Sequence, residues 1–179
     1  MFMRSERLFL RPAWPEDAQD LHTLHEEAQV ACGLQRDACD ITRLLAPRGD
    51  RRHPSLLITL PGARESRLIG YIGVHQDDGE AVLRIFLAPD VRGRGYAREA
   101  LAAFLRLIRT LGHGHVSARN VADGSALARL LQHTGFVTTG RVVAHLDSDS
   151  CPPSREYVLA FDSPGLVLEG GEGPGKRAA

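Results

Sequence analysis

The feature that most constrains the fold is a glycine-rich turn that joins an apolar strand to a long amphipathic helix. Residues 81–89 read AVLRIFLAP, which predicts a buried strand that ends at Pro89, and residues 90–96 read DVRGRGY. From residue 97 to residue 111, apolar side chains recur at spacings of three and four, and Gly112 follows as a stop signal. A strand, a turn and a helix in direct succession indicate a helix packed on a sheet.

The remaining segments indicate one sheet flanked by helices. Asp78-Gly79 is typical of a tight hairpin, and Asp123 and Ser125 are both candidates for the N-cap of the last helix. We predict strands at 7–12, 55–60, 67–75, 81–89, 115–121, 136–146 and 155–161, and helices that begin near Pro15, run from Asp37 or Asp40 to Leu45, and span 97–111 and 123–135. Hairpins alternate with crossovers in this order, so the sequence predicts a single mixed sheet in an α/β or α+β domain.

The net charge and the hydropathy of the sequence argue against a general nucleic-acid binder and against a membrane protein. The 22 basic and 22 acidic residues leave no formal net charge. A general binder of nucleic acid or of anionic membranes usually has a positive excess, so we expect neither partner. No apolar run approaches the ~20 residues that span a bilayer, and the first residues lack a signal-peptide pattern, so we expect a cytoplasmic protein.

The length predicts one folded domain followed by a tail. We expect residues 1–162 to form the domain, since this length supports a single core. Residues 163–179 are rich in glycine and offer few side chains to bury, so we expect them to be flexible. The cysteines form no CxxC pair, and His22, His25, Cys32 and Cys39 lack the paired spacing of a zinc site, so we expect no disulfide framework and no metal.

The turn itself has the chemistry of an anion site. The first N–H groups of a helix lack intrahelical partners and lie at the positive end of the helix dipole, where a phosphate can accept hydrogen bonds from them. Gly93 and Gly95 permit backbone angles that other residues avoid. Positive charge is supplied nearby by Arg92, Arg94 and Arg98. The turn lacks the lysine of a P-loop and the last glycine of a dinucleotide fingerprint, and a tight turn with solvated arginines stays an alternative.

The turn also resembles a motif of a known family. Residues 92–97, RGRGYA, fit the pattern (Q/R)-x-x-G-x-(G/A) of motif A in the GCN5-related N-acetyltransferases. Three more stretches resemble the ribosomal-protein N-acetyltransferase-like (RimJ/RimL-type) branch in the family's order: SERLFLRPAWPEDAQDL at 5–21, RLIGYIGVH at 67–75 and LLQHTGFVTTGRV at 130–142. The resemblance extends over about residues 5–162.

This resemblance implies an acyltransferase of the EC 2.3.1 type, with acetyl-CoA as donor substrate, a primary amine as acceptor, and no metal. It implies a splayed, mostly antiparallel sheet of about seven strands with about four helices, and a monomer or a homodimer joined through late strands. The pyrophosphate would bind N–H groups of residues 93–98, the pantetheine would pair with the strand edge at 85–87, and the N–H of Leu87 would stabilise the oxyanion. The candidate coenzyme-binding residues are Ile85, Phe86, Leu87, Arg92, Gly93, Arg94, Gly95, Tyr96, Ala97, Arg98 and Asn120.

The positions that carry catalytic groups in the family depart from its pattern. Where the branch has Asn-x-x-Ser, this chain has Gly124 and Leu127, and Leu131 stands where other branches place a tyrosine acid. Val82 takes the place of the usual glutamate, and Glu80 lies two residues earlier on the same strand face. An alternative therefore stays open, namely a non-catalytic acyl-CoA-binding or regulatory module with the same fold.

Candidate general bases lie at the predicted hairpin. They are Glu80, His75 and Asp77, and for each of them a solvated turn residue is the alternative. A lysine-type amine near pKa 10.4 costs ~4.6 kcal/mol to deprotonate at pH 7, whereas an α-amine near pKa 8 costs ~1.4 kcal/mol. In the absence of a strong base, we therefore expect a protein N-terminal α-amine or a small-molecule amine of low pKa. A thiol of pKa ~8.5 can leave as thiolate, so a missing acid does not prevent transfer.

Overall fold

One eight-stranded sheet organises the residues that the structure describes. The structure is a computed structural model, and it describes residues 1–32, 51–62, 66–143 and 154–161. The strands are β1 (Met3–Arg4), β2 (Phe9–Arg11), β3 (Ser55–Leu60), β4 (Arg67–Asp77), β5 (Glu80–Leu87), β6 (His115–Ala122), β7 (Val137–Val143) and β8 (Ser154–Ala160). The α-helices are α1 (Ala18–Cys32), α2 (Tyr96–Thr110) and α3 (Ala126–His133), and short 3-10 turns lie at Pro15–Asp17 and Pro89–Val91.

The order of the strands is β1-β2-β3-β4-β5-β6-β8-β7, and it confirms the predicted mixed, mostly antiparallel sheet. Among the described strands, β5 and β6 are the single parallel pair, and their register contains one bridge, between Val82 and Ser117. The two strands therefore part beyond that bridge and leave the later half of β5 with an open edge. This opening positions the site described below.

The strand and helix counts differ slightly from the expected seven and four. The first predicted strand, at 7–12, is β2, and an additional two-residue strand, β1, precedes it and pairs with it across a turn in which the N–H of Ser5 donates to the carbonyl of Leu8. Three α-helices lie in the described ranges, since the predicted helix from Asp37 or Asp40 to Leu45 lies outside them. The predicted tail at 163–179 lies outside them as well.

Helix α2 has the predicted amphipathic stripe and packs on β4 and β5. Leu101, Phe104 and Ile108 are fully buried, and each such side chain stabilises the fold by about 1.5–3 kcal/mol relative to exposure. The helix ends at Thr110, and Gly112 follows its C-cap, Leu111, with a left-handed φ of 84°. In the described residues no helix is both long and apolar enough to cross a membrane.

Local capping and turn chemistry position the remaining elements. Ser125, not Asp123, caps α3, because its hydroxyl accepts from the N–H of Ala128 at 3.0 Å. Asp123 instead accepts from Arg155 Nε at 2.6 Å, which ties the start of α3 to β8. Asp78 and Gly79 both have positive φ, 49° and 81°, as a type I′ hairpin turn requires.

A buried ion pair anchors the chain before α1. Both oxygens of the Asp17 carboxylate accept from the Arg11 guanidinium at 2.6 Å, and the N–H of Trp14 donates to the same carboxylate. The hydrogen bonds from Arg11, together with the one from Trp14, outweigh burial and lower the pKa of Asp17 below 3.8. The Arg11 guanidinium also lies 4.1 Å from the Trp14 ring centroid. These contacts fix the direction in which α1 begins.

Candidate active site

The glycine-rich turn leads from the end of β5 into the first turn of α2. Gly93 and Gly95 have φ of 75° and 82°, a region that favours glycine, and Gly95 is the N-cap of the helix. The first helical hydrogen bond runs from the N–H of Glu99 to the carbonyl of Gly95. The N–H groups of residues 96–98 precede that bond, so helix geometry leaves them without intrahelical partners. The turn therefore has the backbone geometry of an anion site.

The three arginines of the turn have different roles in the structure. Arg92 donates from Nε to the carbonyl of Leu87 at 2.9 Å, and its guanidinium lies 5.4 Å from the ring centroid of Phe86. Arg92 thus braces the turn against β5. Arg94 and Arg98 are exposed beside the helix N-terminus, where they leave positive charge at the surface.

A loop clamp, which we define as Ser5, Arg7 and Glu99, ties the N-terminal hairpin to α2. One carboxylate oxygen of Glu99 accepts from the Ser5 hydroxyl and the Arg7 N–H, both at 2.7 Å, and the other accepts from Arg7 Nε at 2.8 Å. Arg7 also donates to the carbonyl of Arg94 at 3.1 Å and lies 4.7 Å from the ring centroid of Tyr96. Burial alone raises the pKa of Glu99, but the hydrogen bonds from Ser5 and Arg7 outweigh it and lower the pKa.

The loop clamp was missed in the sequence. Arg7 and Glu99 are 92 positions apart, and no spacing rule for helices or strands connects them. The sequence does place an acidic residue, Glu99, in the first turn of a predicted helix. By itself this indicates only a favourable interaction with the helix dipole.

The open edge of β5 presents the backbone of two residues. The N–H of Ala88 donates to the carbonyl of Ile69, and along β4 and β5 the antiparallel register alternates from that pair. Phe86 therefore forms its backbone hydrogen bonds with β4, whereas the N–H groups of Ile85 and Leu87 face the side on which β6 has diverged. Of the predicted edge residues 85–87, the first and last thus present donors at the opening.

A cavity of about 240 Å³ lies at the opening between β5 and β6. Its lining comes from β4, β5, β6 and α3, and comprises Tyr71, His75, Asp77, Val82, Leu83, Arg84, Ile85, Ala118, Arg119, Val121 and Leu127. By the register of β4 and β5, Tyr71, His75 and Asp77 share one face of the sheet with Glu80 and Val82. The structure therefore brings the three predicted candidate bases together on the face that contains the cavity.

Arg119 gathers three carboxylates at the closed end of this opening. It donates from Nη1 to Asp77 at 2.5 Å, from Nη2 to Glu80 at 2.9 Å and from Nε to Glu156 at 3.1 Å. We call Asp77, Glu80, Arg119 and Glu156 the vertex cluster. Ser117 also donates to Glu80, at 3.4 Å. Burial lowers the pKa of Arg119, but the hydrogen bonds to Glu80 and Glu156 more than offset it, so the pKa lies above its ordinary value and the guanidinium stays charged.

The residues that depart from the family pattern lie in different parts of the structure. Leu131 is fully buried in the core and carries no ionisable group, so this position supplies no acid to the site. Leu127 lines the cavity, and Gly124 lies exposed with a φ of 68°. Asn120 lies on β6, but its side chain lies outside the described residues. In the described ranges, no group of three or more His, Cys, Asp and Glu side chains is placed to hold a metal.

Three cavity residues were not predicted from the sequence. Tyr71 stacks on Phe86 with ring centroids 5.8 Å apart, and Arg84 and Arg119 lie in the same wall. Tyr71 and Arg84 lie at even spacings from His75 and from its partner Val82, which shows only that they share a sheet face with His75. Arg119 carried no signal, because its partners lie 37 to 42 residues away on three other strands.

Known proteins share this fold along most of the chain. A protein of Bacillus subtilis (strain 168), named uncharacterized N-acetyltransferase YycN, is 28% identical over 132 residues, which cover 69% of this chain and 84% of that protein. A Salmonella typhimurium acetyl transferase that modifies the N-terminal serine of 50S ribosomal subunit protein L7/L12 has a TM-score of 0.70 at 17% identity, covering 90% of this chain and 100% of that one.

A second Salmonella typhimurium structure, of the putative acetyltransferase yncA with its cofactor acetyl-CoA, has a TM-score of 0.66 at 19% identity and covers 90% of this chain and 99% of that one. Similarity at these identities establishes the fold. The family model for the acetyltransferase (GNAT) domain matches residues 7–137, which is more than half of the chain and includes the glycine-rich turn, the open edge of β5 and the cavity. The chain therefore belongs to the GNAT acetyltransferase family.

Proposed function

We propose that this protein is an acetyl-CoA-dependent N-acetyltransferase that moves an acetyl group to a primary amine by direct attack on the thioester. The observation that carries the proposal is the continuity of the site. A turn with the backbone geometry of an anion site follows the open edge of β5, and that edge leads to a polar cavity. The acetyl-CoA named for the similar yncA structure supports the choice of coenzyme.

In this proposal each part of the site binds one part of acetyl-CoA. The pyrophosphate accepts from the N–H groups of residues 93–98, and Arg94 and Arg98 add charge beside it. The pantetheine arm pairs with β5 through the N–H groups of Ile85 and Leu87, as an added strand would. Asn120 is a further proposed contact from β6.

The transfer then needs few specialised groups. The lone pair of the acceptor amine forms a bond to the thioester carbonyl carbon, and the N–H of Leu87 stabilises the negative charge that develops on the carbonyl oxygen. The carbon–sulfur bond breaks, and the sulfur leaves as thiolate. The proton released by the amine passes to His75 or Glu80 through a chain of water molecules in the cavity, since both residues lie several positions along the strands from Leu87. Holding the amine and the thioester together supplies much of the rate.

The acceptor that best fits this site is an α-amine. The nearby carboxylates of Asp77 and Glu80 are engaged by Arg119, which makes them weaker bases, and an α-amine costs ~3 kcal/mol less to deprotonate at pH 7 than a lysine amine. The similar protein that modifies the N-terminal serine of L7/L12 supports a protein N-terminus, as in the RimJ/RimL-type branch. A small-molecule amine of low pKa fits by the same reasoning.

A thiol-release assay tests the proposal. Purified protein with acetyl-CoA is offered a peptide with a free N-terminal serine and no lysine, the same peptide N-acetylated with one internal lysine, and a panel of small amines. We expect turnover of the α-amine peptide and little of the lysine peptide. Calorimetric binding of acetyl-CoA without turnover of any amine would overturn the enzyme assignment in favour of a non-catalytic acyl-CoA-binding module.

A further inference from the structure

We propose that Arg119 is a positioning residue, which sets the width of the opening between β5 and β6 and so the place where thioester and amine meet. This inference rests on the proposed acetyl transfer. Arg119 belongs to none of the recognised sequence motifs, and it reaches the reacting groups only through the strands that it joins.

The guanidinium of Arg119 joins four strands. From β6 it donates through its three nitrogens to Asp77 on β4, Glu80 on β5 and Glu156 on β8. Glu156 is held in turn by the hydroxyl of Thr139 on β7, at 3.2 Å. The side chains of Arg119 and Glu156 are 23% and 11% exposed, so this pair is shielded from water more than a surface ion pair.

Little backbone pairing joins β5 to β6, so the side chain of Arg119 supplies much of the connection between these strands. Strands β5 and β6 share one bridge, Val82 with Ser117. The register between β6 and β8 shifts between Ala118 and Val121, so β6 has one extra residue in the stretch that contains Arg119 and Asn120. At the closed end of the opening, the Arg119 contacts therefore replace the ladder that a regular sheet would provide.

Removing the Arg119 guanidinium would replace attraction by repulsion in the vertex cluster. Asp77, Glu80 and Glu156 would lose the cation that they share, since Arg141 lies 3.8 Å from Glu156 and is 77% exposed, and the like charges of the carboxylates would repel. The cheapest relief is to part β5 from β6. Ile85 lies in the same cavity wall as Arg119, so parting the strands would shift the β5 edge along which the thioester arm is proposed to pair, and a misplacement of ~1 Å there costs up to about 100-fold in rate.

The vertex cluster and the glycine-rich turn are far apart along β5. Glu80 begins the strand and Leu87 ends it, a separation of about 23 Å at 3.3 Å per residue. Pyrophosphate binding should therefore persist when Arg119 is replaced. A positioning role predicts a loss in kcat with little change in the affinity for acetyl-CoA, a split that general destabilisation does not produce.

The experiment compares Arg119→Met, Arg119→Lys and Arg106→Met, the last being an exposed arginine on α2. We expect kcat to fall about 10- to 100-fold in Arg119→Met, with the calorimetric Kd for acetyl-CoA changed less than ~3-fold. Arg119→Lys keeps the charge but loses the fork, so it should recover part of kcat, and Arg106→Met should match the wild type. An unchanged kcat in Arg119→Met, or a loss of coenzyme affinity equal to the loss of kcat, would overturn the proposal.

Two further measurements cover the remaining cases. If Arg119→Met does not fold, Glu156→Gln keeps Arg119 and weakens one contact, and it should show the same split at about 2- to 10-fold in kcat; no split there would overturn the proposal. If the wild type turns over no amine, the proposed function fails by itself. Amide hydrogen exchange in residues 80–87 then decides on Arg119: it should accelerate in Arg119→Met and not in Arg106→Met.

Discussion

The loop clamp and the vertex cluster each use one arginine to join distant segments, but they differ in the number of carboxylates that the arginine meets and in the segments that it holds together. In the loop clamp Arg7 meets one carboxylate, and the contacts hold a backbone turn whose glycines are specified locally. In the vertex cluster Arg119 meets three carboxylates and holds strands that the backbone leaves apart. The glycine-rich turn is therefore shaped mainly by local backbone geometry, whereas the closed end of the opening is held together by side chains from distant strands.

The largest effect is expected at the turn, where Gly95→Val should abolish measurable coenzyme binding. Valine at a φ of 82° is strained, and it would change the N–H geometry on which the phosphate depends, so we expect the Kd for acetyl-CoA to rise at least about 100-fold. Titration calorimetry measures it. Gly112→Val is the matched control, since it imposes the same strain at a φ of 84° at the other end of α2. Equal losses of affinity in the two variants would show that strain, not the anion site, is responsible.

An intermediate effect is expected in the loop clamp. There the affinity for acetyl-CoA should change and kcat should not, which is the reverse of the split expected at Arg119. Arg7→Met removes the bonds to Glu99 and to the carbonyl of Arg94, so the turn loses its brace. We expect the Kd for acetyl-CoA to rise about tenfold, the equivalent of one charge-assisted hydrogen bond, with kcat at saturation nearly unchanged. Arg4→Met, at an exposed site on the neighbouring β1, is the control. A fall in kcat at unchanged Kd would erase the distinction between the two regions.

The sequence predicts the locally specified backbone features of the site but not the side-chain contacts between distant segments. The turn at 93–95, the Asp78-Gly79 hairpin and the stripe on α2 were all predicted, because each depends on residues close together in the chain. Arg119 and Arg7 were missed, because their partners are set by strand order and by a register shift that no local pattern encodes. Between Asp123 and Ser125, two possible caps, the choice depended on Arg155, a residue on another strand.

The smallest effect concerns the pH dependence of stability in the loop clamp. The pKa of Glu99 is lowered from 4.5, so its charged contacts contribute stability above that pH and lose it as the pH falls through the lowered value. Glu99→Gln should therefore lower the free energy of unfolding by about 1–2 kcal/mol at pH 7, and the difference from wild type should shrink towards pH 3. Urea denaturation at both pH values measures this. The exposed neighbour Glu6→Gln should change stability by less than ~0.5 kcal/mol, and a pH-independent difference for Glu99→Gln would contradict the assignment.

The most direct test of the central claim is a titration of the ¹⁵N-labelled protein with acetyl-CoA, followed by amide chemical shifts. We expect the largest shifts on the N–H groups of residues 93–98, with a second set at Ile85 and Leu87 and little change at Phe86. Saturable binding that leaves the amides of 93–98 unmoved and shifts another surface would contradict it.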